Sequence, residues 1–153
     1  MKYHFYDKEI RSVLSSDIDA RVRYFKHKVA GWENLWLMED ENGFFTDCNS
    51  NGDEVLILWP FKEYAKISLK NNQKFYNQLK EVNIHYFLDH YLEYIKEHKI
   101  KLFVFPGINN DGALFDADDF KIMMEEELAK YGDYDDEYED NSLEKRLGKN
   151  KDN

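Results

Sequence analysis

The stretch that most constrains the fold is VLILWPFKEYA, residues 55–65, in which an apolar run ends on Trp59-Pro60. Proline has no N–H group to donate to a sheet ladder, but its fixed φ angle suits the first turn of a helix. The pair therefore predicts a strand over Val55–Trp59 that stops at once and a helix over Phe61–Leu69. A large aromatic at such a corner is more often core than binding site, so we interpret Trp-Pro as a structural corner.

The rest of the chain alternates between helical and strand patterns without an internal repeat. Asn42-Gly43 predicts a hairpin turn, and the apolar run Ile100–Phe105, closed by Pro106-Gly107, predicts a buried central strand. These patterns predict one α+β domain over residues 1–131, with a small, mostly antiparallel sheet packed against helices. The predicted strands are a meander of residues 35–38, 44–45 and 55–59 and a later pair of residues 100–105 and 113–115. The clearest predicted helices cover residues 84–95 and the segment that Asp116 caps and that ends at Tyr131.

The net charge of −10 is concentrated near the C-terminus. Residues 1–115 carry 15 basic and 17 acidic side chains, whereas residues 116–140 carry 2 and 12, and residues 141–153 carry 4 and 2. The densest part is DYDDEYED, residues 133–140, with six acids and two tyrosines. Because like charges repel and few apolar side chains are available there to offset ordering entropy, we expect residues 132–153 to form an acidic, disordered tail.

The sequence contains no motif that favours an enzyme. It lacks a Gly-rich phosphate loop, a Gly-x-Ser-x-Gly elbow and a zinc-binding His-Glu-x-x-His pair, and Cys48 has no histidine near it in sequence. On the helix from Ile84, a row of His85, Asp89 and Glu93 could ligate a metal ion, but a solvated helix face is the better interpretation. We therefore expect no cofactor and no metal, and enzymatic activity is the least supported of the functions considered.

A second row on the same helix consists of Tyr86, His90 and Tyr94. These residues lie beside the apolar face, so they could edge a pocket, although the polar border of an amphipathic helix is the commoner arrangement. A small-molecule-binding or regulatory domain is the alternative function that this pattern leaves open. Its pocket would lie near the Trp-Pro corner and be lined by Trp36, Trp59, Tyr64 and His90.

Several segments together resemble a bacterial family named domain of unknown function 2750. They are WENLWLMEDENGFF, VLILWPFKEYA, VNIHYFLDHYLEYI and LFVFP, which occur in the family's order over about residues 20–130. The most specific are Leu58-Trp59-Pro60 with Ala65, and Phe103-Val104-Phe105-Pro106. The resemblance implies a small soluble bacterial α+β domain without catalytic residues to carry over, and the acidic tail departs from the family's pattern.

The charge pattern favours a non-enzymatic interaction protein whose acidic surface binds a basic protein partner. An immunity or inhibitor role against a basic toxin is one concrete version. Direct nucleic-acid binding is disfavoured by the net negative charge, and no apolar run is long enough for a membrane span, so we expect a cytoplasmic protein. A solubilising end is the competing and commoner interpretation of the tail. The residues that would contact the partner are Asp133, Tyr134, Asp135, Asp136, Glu137, Tyr138, Glu139 and Asp140.

Overall fold

The computed structural model describes residues 7–44 and 46–139. Helices and strands succeed one another in an α+β arrangement, which confirms the predicted fold class. The helices are α1 Asp7–Leu14, α2 Ile18–Trp32, α3 Lys62–Ser68, α4 Ile84–Tyr86, α5 Leu92–Glu97 and α6 Ala117–Glu139. The strands are β1 Asn34–Asp40, β2 Gly43–Phe44, β3 Asp47–Cys48, β4 Glu54–Leu58, β5 Leu79–Asn83, β6 Lys101–Val104 and β7 Ala113–Phe115.

The strands form two small sheets. The first has the order β2-β1-β5 and is antiparallel, and the second has the order β3-β4-β6-β7. In the second sheet β4 and β6 run parallel, while β3 and β7 pair antiparallel on the outside. The predicted hairpin of β1 and β2 is present, with Asp40 opposite Gly43 and Gly43 at φ 119°. The predicted third strand of the meander, β4, belongs instead to the second sheet, because its hydrogen bonds run to β3 and β6.

One isolated bridge joins the two sheets. The backbone N–H of Trp36 donates to the carbonyl of Trp59 over 2.9 Å, and the N–H of Trp59 donates back over the same distance. Trp59 is fully buried, and Pro60 comes between it and Phe61, which is the N-cap residue of α3. The predicted strand, corner and helix are therefore all present, with the proline just outside the helix.

A shared core lies between the sheets and the helices. Phe120 of α6 contacts Phe25 of α2 and Phe87, with ring centroids 6.2 Å and 5.7 Å apart. Asp116 caps α6 as predicted, since its carboxylate accepts a hydrogen bond from the N–H of Asp119 over 2.8 Å. The helix then continues beyond the predicted end at Tyr131, to Glu139. None of the helices within the described ranges combines the length and apolar character that crossing a bilayer requires.

A buried arginine holds the loop after β6 against α2. Arg21 is only 2 % exposed, and its Nε donates to the carbonyl of Phe105 over 3.1 Å. Its Nη2 donates to both the carbonyl and the carboxylate of Asp111, at 2.6 Å and 2.8 Å, and its Nη1 donates to the carbonyl of Ser16. A Cβ at Gly107 would lie 2.5 Å from the guanidinium carbon, so any residue larger than glycine there would have to displace the Arg21 side chain. The sequence pattern gave no sign that this arginine is internal.

Candidate functional site

The aromatic residues predicted to form a pocket at the Trp-Pro corner are mostly enclosed. Trp59 is fully buried and Tyr64 is 1 % exposed. Trp36, which the bridge places beside Trp59, is half-buried, and the ammonium group of Lys62 lies 5.5 Å from the centre of its ring. The corner thus brings two of the four predicted residues together as packed side chains.

The other two predicted residues lie on different clefts. Tyr64 lines a narrow cleft of about 190 Å³, where Ile108 and Pro106 approach α3. His90 is exposed and lines two wider clefts, neither of which includes Tyr64. Neither Trp36 nor Trp59 is among the side chains that line these three clefts, so they do not unite the four residues.

The clefts at His90 are built around a break in helical geometry between α4 and α5. Asn83 starts α4, because its side-chain oxygen accepts hydrogen bonds from the N–H groups of His85 and Tyr86, at 2.9 Å and 3.2 Å. Residues Phe87–Tyr91 then form a π-helical turn, in which the N–H of Leu92 donates to the carbonyl of Phe87, five residues earlier. Turns of this kind are frequent at functional sites, and the last residue of this one is the half-buried Tyr91.

Two pairs of aromatic rings lie on the exposed side of this helical segment. The rings of Tyr86 and His90 are 4.3 Å apart at an angle of 41°, and those of Tyr94 and His98 are stacked at 3.9 Å. Tyr86 is 53 % exposed and Tyr94 is 49 % exposed. The row predicted as a helix border is therefore a row of exposed rings, of which Tyr86 contacts His90 while Tyr94 contacts His98.

We call the larger of the two wider clefts, with a volume of about 670 Å³, the π-turn cleft. It lies between β5, the end of β1 and the π-helical turn. Three of its side chains are acidic and one, Lys80, is basic. It is lined by Glu39, Lys80, Glu81, Val82, Asn83, Tyr86, Asp89, His90 and Tyr91.

Glu39 connects the π-turn cleft with its neighbours. It also lines an adjoining cleft of about 350 Å³ that reaches Tyr94, and another of about 640 Å³ that adds Asp40 and Glu41. The hydroxyl of Tyr91 donates to Oε2 of Glu39 over 3.0 Å, which fixes this carboxylate at the cleft wall. Partial burial, followed by the hydrogen bond to Glu39 and the charge of Glu39, raises the pKa of Tyr91 to about 12. Tyr91 therefore stays protonated and keeps donating at neutral pH.

In the C-terminal acidic segment, residues 116–140, the acidic side chains that the structure describes include three with partners in the fold. Asp116 caps α6, Asp118 lies 3.2 Å from Lys96, and the buried Glu127 contacts both Lys130 at 3.2 Å and His27 at 3.8 Å. These three acidic side chains are therefore partnered within the fold. Of the predicted partner-binding residues 133–140, those up to Glu139 belong to α6, and Asp140 lies outside the described residues.

The pattern that defines the family described as Protein of unknown function (DUF2750) matches residues 22–124. The chain belongs to this family. The match confirms the family to which the sequence was compared, and it covers the Trp-Pro corner, the π-helical turn and both sheets. No curated protein and no solved structure matches the chain.

The π-turn cleft of this DUF2750 domain is suited to binding a cation. Exposed ring faces attract cations, and carboxylates at the same site add charge and hydrogen-bond acceptors. Among the described residues, no group of three or more His, Cys, Asp or Glu side chains is placed to hold a metal ion.

Sequence reasoning found His90, Tyr86 and Tyr94 but missed the residues that make them a cleft. Glu39, Lys80 and Glu81 come from β1 and β5, whose pairing places Leu37 opposite Lys80. Glu39 stands just before the hairpin turn, where a charged residue is unremarkable in sequence. The signal that could have pointed to β5 is the apolar Leu79 and Val82 in the otherwise polar segment before the helix, and it is weak.

Proposed function

We propose that this DUF2750 domain is a non-enzymatic binding domain whose acidic surface recognises a basic protein. An immunity or inhibitor role against a basic toxin remains one concrete form of this function. The bacterial origin and the cytoplasmic location expected from the sequence belong to the same proposal.

The observation that carries the proposal is the charge around Glu39. The three clefts that share Glu39 are lined by five carboxylates and one lysine: Glu39, Asp40, Glu41, Glu81, Asp89 and Lys80. By contrast, residues 1–115 as a whole carry 15 basic and 17 acidic side chains. The acidic surface is therefore a local feature of a nearly neutral part of the chain. A basic partner would be steered to this face and held there by opposite charge.

A direct test uses the full-length protein and a labelled peptide of alternating arginine and lysine. Binding would be measured by fluorescence anisotropy at low and high salt, with the wild type and the triple variant Glu39→Gln, Glu81→Gln, Asp89→Asn. We expect the triple variant to bind about tenfold more weakly at low salt, since each exposed pair contributes up to about 1 kcal/mol. High salt should weaken wild-type binding, because exposed charges are screened.

A control of equal charge change is Asp19→Asn, Asp47→Asn, Glu125→Gln, since all three side chains are exposed and lie outside the clefts at Glu39. It should bind like the wild type. A further variant with the six acids of residues 133–140 neutralised tests the version predicted from the sequence, in which the C-terminal segment makes the contact. If the cleft variant and the control lose peptide binding equally, the role of the cleft is overturned. Absence of wild-type binding to the peptide at low salt would overturn it as well.

A small-molecule-binding role is the second candidate. The observation that favours it is the size of the π-turn cleft, about 670 Å³, which lies within the range of ligand sites. The cleft differs from the pocket predicted at the Trp-Pro corner, with which it shares only His90. Saturation of the cleft by a small organic cation without any peptide binding would favour this candidate.

A further inference from the structure

The ring pair of Tyr86 and His90 forms an aromatic wall of the π-turn cleft. The two rings are 4.3 Å apart and tilted by 41°, so they lie against each other, and Tyr86 is 53 % exposed, so the pair remains open to a ligand. An aromatic wall distinguishes between cations of equal charge. The planar guanidinium of arginine stacks on such a surface, whereas the ammonium of lysine is a compact and strongly hydrated charge.

Tyr91 links this wall to a fixed carboxylate. Its ring lies 5.6 Å from that of Tyr86 in an edge-to-face arrangement, and its hydroxyl holds Oε2 of Glu39 at 3.0 Å. A cation that lies against Tyr86 thus shares its cleft with a carboxylate whose position is set before binding. Arginine gains more from such an arrangement than lysine, because its fork of N–H donors matches a carboxylate.

The acidic residues of the cleft are not neutralised by its own lysine. Among the described residues, no ion pair within 4.0 Å joins Lys80 to Glu39, Glu81 or Asp89. The cleft therefore retains net negative charge beside an aromatic wall. A cationic side chain supplied by a partner complements both features.

We propose that the π-turn cleft is an arginine-recognition site, in which an arginine side chain of the partner protein stacks on an outer face of the Tyr86–His90 ring pair and donates hydrogen bonds to Glu39. This inference rests on the proposed function and specifies the chemistry of the partner. It assigns stacking to the ring pair, orientation to the carboxylate and the positioning of that carboxylate to Tyr91.

The test compares two labelled peptides of equal length and charge, one of arginine and one of lysine, on the full-length protein at low salt. We expect the arginine peptide to bind about five- to tenfold more tightly to the wild type. Tyr86→Ala and His90→Ala should reduce this preference to within about twofold, since stacking is lost while the carboxylates remain. Tyr86→Phe, which keeps the ring, should retain the preference.

His98→Ala is the matched control for His90→Ala. His98 is also exposed and also stacked on a tyrosine of the same helical segment, but it does not line the π-turn cleft. It should leave the preference for arginine unchanged. Thermal melts of all variants would confirm that they are folded.

The outcomes separate the two proposals. If neither peptide binds the wild type, both the proposed function and the arginine site fail. If both peptides bind equally, charge alone drives binding, so the proposed function stands and the arginine site is refuted. A preference for arginine that survives both Tyr86→Ala and His90→Ala would also refute the site, because stacking at this wall could not be its cause.

Discussion

The aromatic side chains of the Trp-Pro corner and those of the π-helical turn differ chiefly in burial. At the corner, the ring of Tyr64 lies 5.0 Å from that of Phe105 and is 1 % exposed. At the π-helical turn, the Tyr86 ring also contacts a neighbouring ring but is 53 % exposed. The same kind of contact therefore stabilises the fold in one place and presents a surface in the other. Burial, rather than aromatic content, decides which cluster can meet a partner.

The largest expected effect comes from breaking the corner. Tyr64→Ala should lower the free energy of unfolding by about 3–5 kcal/mol, because it leaves a cavity in the core. It also removes the hydroxyl that lies 3.0 Å from that of Tyr24. Tyr86→Ala, the matched change at the π-helical turn, should alter stability by only about 0.5 kcal/mol. Denaturant titration of both variants measures the contrast.

Similar losses from the two tyrosine variants would show that the π-helical turn is part of the core rather than a surface for binding. A small loss at Tyr64 would show instead that the corner tolerates a cavity. Tyr64→Phe separates packing from hydrogen bonding at this position. It should cost about 1 kcal/mol, since it removes the hydroxyl and keeps the ring.

The next effect in size concerns the loop that covers the corner. Arg21→Met should destabilise the fold by about 2–4 kcal/mol, because it leaves the carbonyls of Ser16 and Phe105 without their buried donor. Asp111→Asn should cost less than about 1 kcal/mol, since the Asp111 side chain is 50 % exposed and an amide can still accept the hydrogen bond. Thermal or denaturant unfolding of both variants tests this order.

If Asp111→Asn were as damaging as Arg21→Met, the charge of the pair would matter more than the backbone hydrogen bonds. The arginine peptide provides a second readout for Arg21→Met. Because Arg21 contacts Ser16 and the loop after β6 and does not line the π-turn cleft, an Arg21→Met variant that remains folded should bind the peptide as the wild type does. Altered binding would couple the two regions and weaken the distinction between them.

The sequence predicted the corner well because its determinants are local. Pro60 ends a strand because it lacks the N–H group that a sheet ladder needs, and Asp116 caps a helix through its own side chain. The predicted hairpin of β1 and β2 follows from Asn42-Gly43 for the same reason. The α+β class follows from the sum of such local signals, and it was correctly predicted.

The arrangement of the strands depended on contacts that are distant in sequence. The parallel pairing of β4 and β6 joins Leu56 to Leu102, across the segment that contains α3, β5 and the π-helical turn. One signal was available, since apolar runs such as residues 55–59 and, after Lys101, residues 102–105 are typical of strands buried in parallel pairs. The polar β5 carried too weak a signal, and its pairing with β1 is what forms one wall of the π-turn cleft.

The π-helical turn could not be read from the sequence either. The spacing of Phe87, Leu88, Leu92 and Ile95 fits an ordinary amphipathic helix, and all four are buried in the structure. The π-helical turn keeps these four residues on the buried side, so the apolar pattern alone does not reveal it. For the same reason, the row of Tyr86, His90 and Tyr94 was recognised in the sequence but interpreted as a border.

The smallest expected effect concerns the hydrogen bond between Tyr91 and Glu39 at high pH. Below pH 10, Tyr91 is protonated in both the folded and the unfolded protein, and its hydrogen bond to Glu39 contributes its full stability. Because folding raises the pKa of Tyr91 to about 12, this contribution is lost as pH rises from about 10 through 12. Its size is about 1 kcal/mol or less, since Tyr91 is only partly buried and solvent screens its interaction with Glu39.

Tyr91→Phe isolates this contribution. The pKa values of Tyr24 and Tyr131 are also raised by burial, so alkaline conditions destabilise the wild type through several groups at once. The variant retains those groups and lacks the Tyr91 hydroxyl, so the difference in unfolding free energy between wild type and variant should shrink from pH 9 to pH 12. If the difference in unfolding free energy stayed constant from pH 9 to pH 12, the hydroxyl of Tyr91 would not stabilise the fold by donating a hydrogen bond to Glu39. The carboxylate of the π-turn cleft would then be positioned by strand β1 alone, and Tyr91→Phe would leave the preference for arginine intact.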